Sequence, residues 1–81
     1  MKLNLRFFGR LSEELAHVTW PESFPGNLTV GELRDLLAAR APGDASALST
    51  CMVAVNTDFA DDGHELTEGD EVAFLPPVSG G

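Results

Sequence analysis

Residues 28–40 read LTVGELRDLLAAR, and this stretch allows little besides a helix. Thr29 and Glu32 have the S/T-x-x-E spacing of a capping box, in which each side chain reaches the other residue's free backbone N–H. Leu28 and Leu33 fall at the two staple positions flanking that cap. Val30, Leu33, Leu36 and Leu37 then make one apolar stripe, and Ala41-Pro42-Gly43 stops the run. The spacing predicts a helix from about Val30 to Arg40 that lays its leucines on a sheet. It is scaffold.

The sheet has its own signals. KLNLRFF alternates, with Leu3, Leu5 and Phe7 on one face and Lys2, Asn4 and Arg6 on the other, so it reads as a half-buried strand ended by Gly9. Leu11 and Leu15 in RLSEELAH give a short helix. Residues 18–25, VTWPESFP, hold two prolines and allow an irregular edge strand at best. After a short link, DASALST, comes the apolar, β-branched CMVAVN, a candidate central strand. Asn56-Thr57-Asp58 turns it into a brief strand around Phe59-Ala60, and further turns lie at Asp61-Asp62-Gly63 and at Thr67-Glu68-Gly69-Asp70. The closing EVAFL alternates Val72 and Phe74 against Ala73 and Leu75. The first and last strands are expected to pair as central neighbours. This order indicates an α+β domain with one helix packed across a mixed sheet.

At 81 residues the chain makes one small domain, burying about 60% of the surface its unfolded form exposes. Its single cysteine, Cys51, excludes an internal disulfide framework and fits a reducing compartment. MKLNLRFFG lacks the apolar run of a signal peptide, and no segment approaches a membrane span, so a cytoplasmic protein is expected. Thirteen acidic against five basic side chains give a net charge of −8, which repels phosphate backbones and anionic lipid and favours a basic protein partner. Catalytic and metal-binding sets are missing. There is no phosphate loop and no dinucleotide fingerprint; His17 and His64 lie far apart, and one cysteine cannot build a zinc site. Cys51 opens an apolar strand, where a buried thiol is the expectation. The carboxylate pairs Asp61-Asp62 and Asp70-Glu71 read as solvated turn residues, and His64 as a surface side chain.

Residues 76–81, PPVSGG, contribute no charge and little to a core. Two prolines stiffen the base as extended chain. Two glycines, having no Cβ, thread a narrow channel and take backbone angles closed to other residues. Six residues reach roughly 20 Å, enough to deliver the Gly81 carboxylate deep into another protein. A carboxylate becomes an acyl donor once ATP converts it to an acyl adenylate; sulfide then gives a thiocarboxylate, and an amine gives an amide. Division into a domain, residues 1–75, and a tail, residues 76–81, follows.

A strand running into FFGRL-S-E and a close of L-T-E-G-D-E-V-A-F-L-P-P-V-S-G-G resemble the small, sulfur-carrying subunit of molybdopterin synthase, a ubiquitin-like β-grasp sulfur-carrier family. The resemblance covers essentially the whole chain. It implies that Gly81 is adenylated by a ubiquitin-activating-type enzyme and converted to a thiocarboxylate by a sulfur donor. The large catalytic subunit would then receive the tail and pass the sulfur to cyclic pyranopterin monophosphate, building the dithiolene that later holds molybdenum. Gly80 would complete the motif, and Pro76, Pro77, Val78 and Ser79 would form the inserted arm. Phe74 and Leu75, at the root, are the expected partner interface, one of them on the exposed face. The resemblance implies no bound cofactor or metal, no catalysis by the chain alone, and an assembly of two small and two large subunits. Ser12-Glu13 stands where the family usually reads Arg-Glu, which leaves any contact of that arginine in doubt. Three rivals stay open: a sulfur carrier for thiamine thiazole, a modifier joined to lysines, and a β-grasp interaction domain whose glycines are incidental.

Overall fold

The computed structural model describes residues 1–15, 17–41 and 46–76. Ala16, the helix stop at Pro42-Gly43, Asp44-Ala45 of the link, and Pro77, Val78, Ser79, Gly80 and Gly81 of the tail lie outside the described residues. The described elements are β1 (Asn4–Phe7), α1 (Gly9–Leu15), α2 (Val30–Arg40), α3 (Ser46–Thr50), β2 (Met52–Val55), β3 (Asp58–Ala60) and β4 (Glu71–Leu75).

Four strands form one mixed sheet in the order β1-β4-β2-β3. β1 runs parallel to β4, placing Leu5 beside Val72 and Phe7 beside Phe74. β2 runs antiparallel to β4, with Val53 beside Phe74 and Val55 beside Val72. Strand residues alternate faces, so Leu5, Phe7, Val53, Val55, Val72 and Phe74 share the inner face. The expected pairing of first and last strands is present, but only β4 is interior; β1 forms an edge of the described sheet.

Helix α2 begins and ends where its cap and periodicity predict. Thr29 N–H donates to Glu32 Oε1 and Glu32 N–H to Thr29 Oγ1, at 2.9 and 3.2 Å. The two preceding orphan donors dock on the loop before β4: Val30 N–H donates to His64 O (3.0 Å) and Gly31 N–H to Asp62 O (2.9 Å). Val30, Leu33 and Leu37 are wholly buried against the inner face, each contributing roughly 1.5–3 kcal/mol by leaving water.

Two expectations fail. Residues 18–25 form no strand, because Pro21 and Pro25 remove ladder donors; Phe24 instead plugs the core and exchanges backbone bonds with Met1. Part of the link is helical, as α3. Its hold is tertiary: Arg34 Nη1 donates to Leu48 O (2.7 Å), while Arg34 Nε pairs with Asp62 Oδ1 (2.8 Å). One α2 side chain therefore ties α3 to the loop that docks the helix.

Candidate functional site

β4 is the last described strand and leads into Pro76, so the site is built from its last residues. Phe74 is wholly buried, stacked on Phe7 with ring centroids 5.2 Å apart, and Trp20 flanks Phe7 at 5.6 Å. Phe8 N–H donates to Phe74 O (3.0 Å), one ladder bond beyond the end of β1. Gly9 then turns away with φ +57°, a left-handed backbone suited to glycine. A Cβ there would stand 2.8 Å from Pro76 Cγ, so the absent side chain is what lets the proline ring lie against the turn. The root of the tail is thus held by a buried aromatic, a backbone bond and a glycine–proline contact.

This geometry corrects one expectation. Phe74 faces the core, where no partner reaches it, so it leaves the partner-interface set. Leu75 points the other way and is half-buried. On its face Met52 lies directly across from it and Ala54 across from Ala73, with Phe59 beside Ala54. Met52 is 47% and Phe59 69% exposed, and Phe8, at 41%, lies under the Arg6 guanidinium, 5.7 Å from the ring centroid. Exposed apolar residues gathered on one sheet face mark an interaction surface more than a fold requirement. Sequence reasoning missed Met52, Phe59 and Phe8. The period-two pattern of CMVAV put Met52 and Ala54 together, but only strand register aligns them with Leu75.

The other singled-out groups are structural. Cys51 is buried; its thiol donates to Leu48 O (3.3 Å), and desolvation pushes its pKa up despite the neighbouring Arg34. Such a thiol is a poor nucleophile. Asp70 departs from the solvated-turn expectation: only 8% exposed, it accepts from Thr67 N–H (2.8 Å), Thr67 Oγ1 (3.1 Å) and Asn56 Nδ2 (2.8 Å). The Thr67 backbone bond is the largest cause holding its carboxyl below the usual value, with desolvation opposing. Asn56 in turn accepts from Glu71 N–H (3.0 Å), so the network fixes where β4 starts. His64 and Asp61 are exposed. Among the described residues no three His, Cys, Asp or Glu side chains gather as metal ligands, and no helix is long and apolar enough to cross a membrane.

Comparison with known proteins agrees with this architecture. A molybdopterin synthase sulfur carrier subunit of Pyrenophora tritici-repentis is 37% identical over 81 aligned positions, covering 93% of this chain and 77% of the relative. The crystal structure of SAMP1 from Haloferax volcanii, a small archaeal modifier protein, superposes with a TM-score of 0.73 at 32% identity, over 98% of each chain. A complex of subunits 1 and 2 of molybdopterin-converting factor from Helicobacter pylori contains a chain matched at TM-score 0.60 and 28% identity, over 100% of both. The fold is therefore that of a ubiquitin-like β-grasp protein. The ThiS family model matches residues 5–81, through the Gly-Gly pair. The chain belongs to the ThiS family, with the sulfur-carrier subunits of molybdopterin synthase among its relatives.

Proposed function

We propose that the chain is the sulfur-carrying small subunit of molybdopterin synthase and that Gly81 is its working group. The family match running through Gly80 and Gly81 carries this reading. A ubiquitin-activating-type enzyme joins the Gly81 carboxylate to AMP, and sulfur from a sulfurtransferase displaces AMP to leave a thiocarboxylate. The sulfur passes to cyclic pyranopterin monophosphate within the large subunit. The chain's own part is delivery. Pro76 and Pro77 stiffen the arm, Val78 and Ser79 extend it, and Gly80 and Gly81 are slim enough for a closed channel. On this reading residues 1–75 are a rigid handle, residues 76–81 the arm, and catalysis belongs to the partners in the cytoplasm.

The outer face around Leu75, Met52 and Phe59 is the proposed dock for the large subunit, supported by its exposure and by the two-subunit complex of the H. pylori neighbour. Docking beside the root places the tail at the channel mouth. Deleting Gly81 tests the assignment: sulfur transfer should vanish with the thermal midpoint nearly unchanged. Transfer surviving the deletion would end the proposal.

The likeness to SAMP1 favours a second reading, a modifier joined through Gly81 to lysines of other proteins. Lysine conjugates on cellular proteins, with no thiocarboxylate, would select it.

A further inference from the structure

Strand register places four outer-face residues in one row across the sheet: Arg6 on β1, Ala73 on β4, Ala54 on β2 and Phe59 on β3. Neighbouring strands lie about 4.8 Å apart, so the row spans roughly 14 Å. Its middle is low, because both central residues are alanines, and Arg6 and Phe59 stand at its ends. Leu75 and Met52 face each other in the next outward row, toward Pro76. Arg6 thus belongs to the surface proposed above as the dock. It is also the one basic residue in the described strands.

A cation on this face needs an account, since an aliphatic side chain would suit an apolar dock as well. The Arg6 guanidinium lies 5.7 Å from the Phe8 ring centroid, and its Nη1 stands 3.5 Å from Glu71 Oε1. That pair is loose. The separation exceeds a good hydrogen-bond length, and the two side chains are 59% and 43% exposed, a setting in which ion pairs contribute little. The guanidinium keeps its proton and carries five N–H donors in a fixed fork. Covering it with apolar surface would strand both the charge and the donors. A partner seated on Leu75, Met52 and Phe59 therefore has to bring an acceptor to Arg6. The acceptor that answers both charge and fork is a carboxylate.

Resting on the reading that the large subunit docks on this face, we infer that Arg6 is a specificity-determining contact and that the large subunit presents an Asp or Glu carboxylate to it. Net charge alone favours a basic partner surface; the row calls for an acidic spot within it. A carrier with an aliphatic residue in place of Arg6 would leave that carboxylate buried without a counterion, so the contact also rejects the wrong carrier.

The test measures binding of the full chain to its cognate large subunit, with association and dissociation rates followed at several salt concentrations. Arg6→Leu removes the charge and adds apolar area, so the alternatives predict opposite signs. Facing a carboxylate, the variant should bind at least about tenfold more weakly, mostly through faster dissociation. Its own thermal midpoint should stay near the parent's, because an exposed ion pair is all the free chain loses. Without a partner carboxylate, removing a charge from the contact leaves binding unchanged or tighter. Any loss smaller than about tenfold would overturn the inference. So would a loss confined to the association rate and erased by salt, the mark of a rim charge. Glu71→Gln should stay within about threefold of the parent; a larger loss would make Glu71 the counterion of the docked state and also overturn it. Leu75→Glu, measured alongside, keeps the two readings apart. If it weakens binding and Arg6→Leu does not, the dock stands and the carboxylate is wrong. If it binds like the parent, the dock falls and the inference falls with it.

Discussion

Phe74 and Leu75 are adjacent in sequence and opposite in duty. Phe74 is wholly buried, packed on Phe7 and beside Val53 on the face that meets α2. Leu75 faces outward, across from Met52, on a surface where apolar side chains stay in water. The inner face holds the domain together; the outer face spends apolar area that the fold does not need. One strand thus carries stability on alternate residues and, on the proposed reading, recognition on the others. On the proposed reading, a partner docked on the outer face beside Pro76 would also set where the tail enters.

The sharpest way to break this contrast is to truncate the inner member. Phe74→Ala should cost about 3–5 kcal/mol, a large part of a small domain's stability, read from urea unfolding. A cost under about 1 kcal/mol would mean the inner face is not the core. Leu75→Glu should do the reverse. It should leave the isolated chain within about 1 kcal/mol of the parent, as surface changes usually do. Binding to the large subunit, followed by calorimetry, should weaken at least about tenfold, since a charge would be buried in an apolar contact. Unchanged binding would clear the outer face of its proposed role.

The smallest effect sharpens the comparison at the other end of β4. Asp70's carboxyl is held below its unfolded value of 3.8, so its contribution is present above that pH and lost as pH falls through the lower folded value. Asp70→Asn should therefore flatten the stability profile below about pH 4, and cost about 1–2 kcal/mol at neutral pH by disturbing a buried network. A variant with the parent's acid profile would show that the network does not favour the ionised form.

Much of this was legible because the signals are local. The capping box and the leucine stripe bound α2, and strict alternation marked β1 and β4. What escaped depends on contacts distant in sequence. The SALST helix is tied down by Arg34, fourteen residues before Leu48. Asp70 looked solvated because it lies in a polar turn; its Thr67 bonds are local to that turn, and only the Asn56 bond comes from another. Phe74 and Leu75 could be separated into two faces but not assigned to inside and outside without the register. Gly9 showed itself as a strand terminator; that its bare Cα seats Pro76 required the tertiary fold. The acyl-delivery reading of the tail rests on composition alone, because residues 77–81 lie outside the described structure.

The most direct measurement is C-terminal-peptide mass spectrometry after incubation with ATP, the activating enzyme and a sulfur source. Fragment localisation is essential, because oxidation of Met1, Met52 or Cys51 adds nearly the mass gained when sulfur replaces oxygen. Sulfur localised to Gly81 is the predicted result. An unmodified Gly81, with an enzyme proven active on its own carrier, would contradict the account.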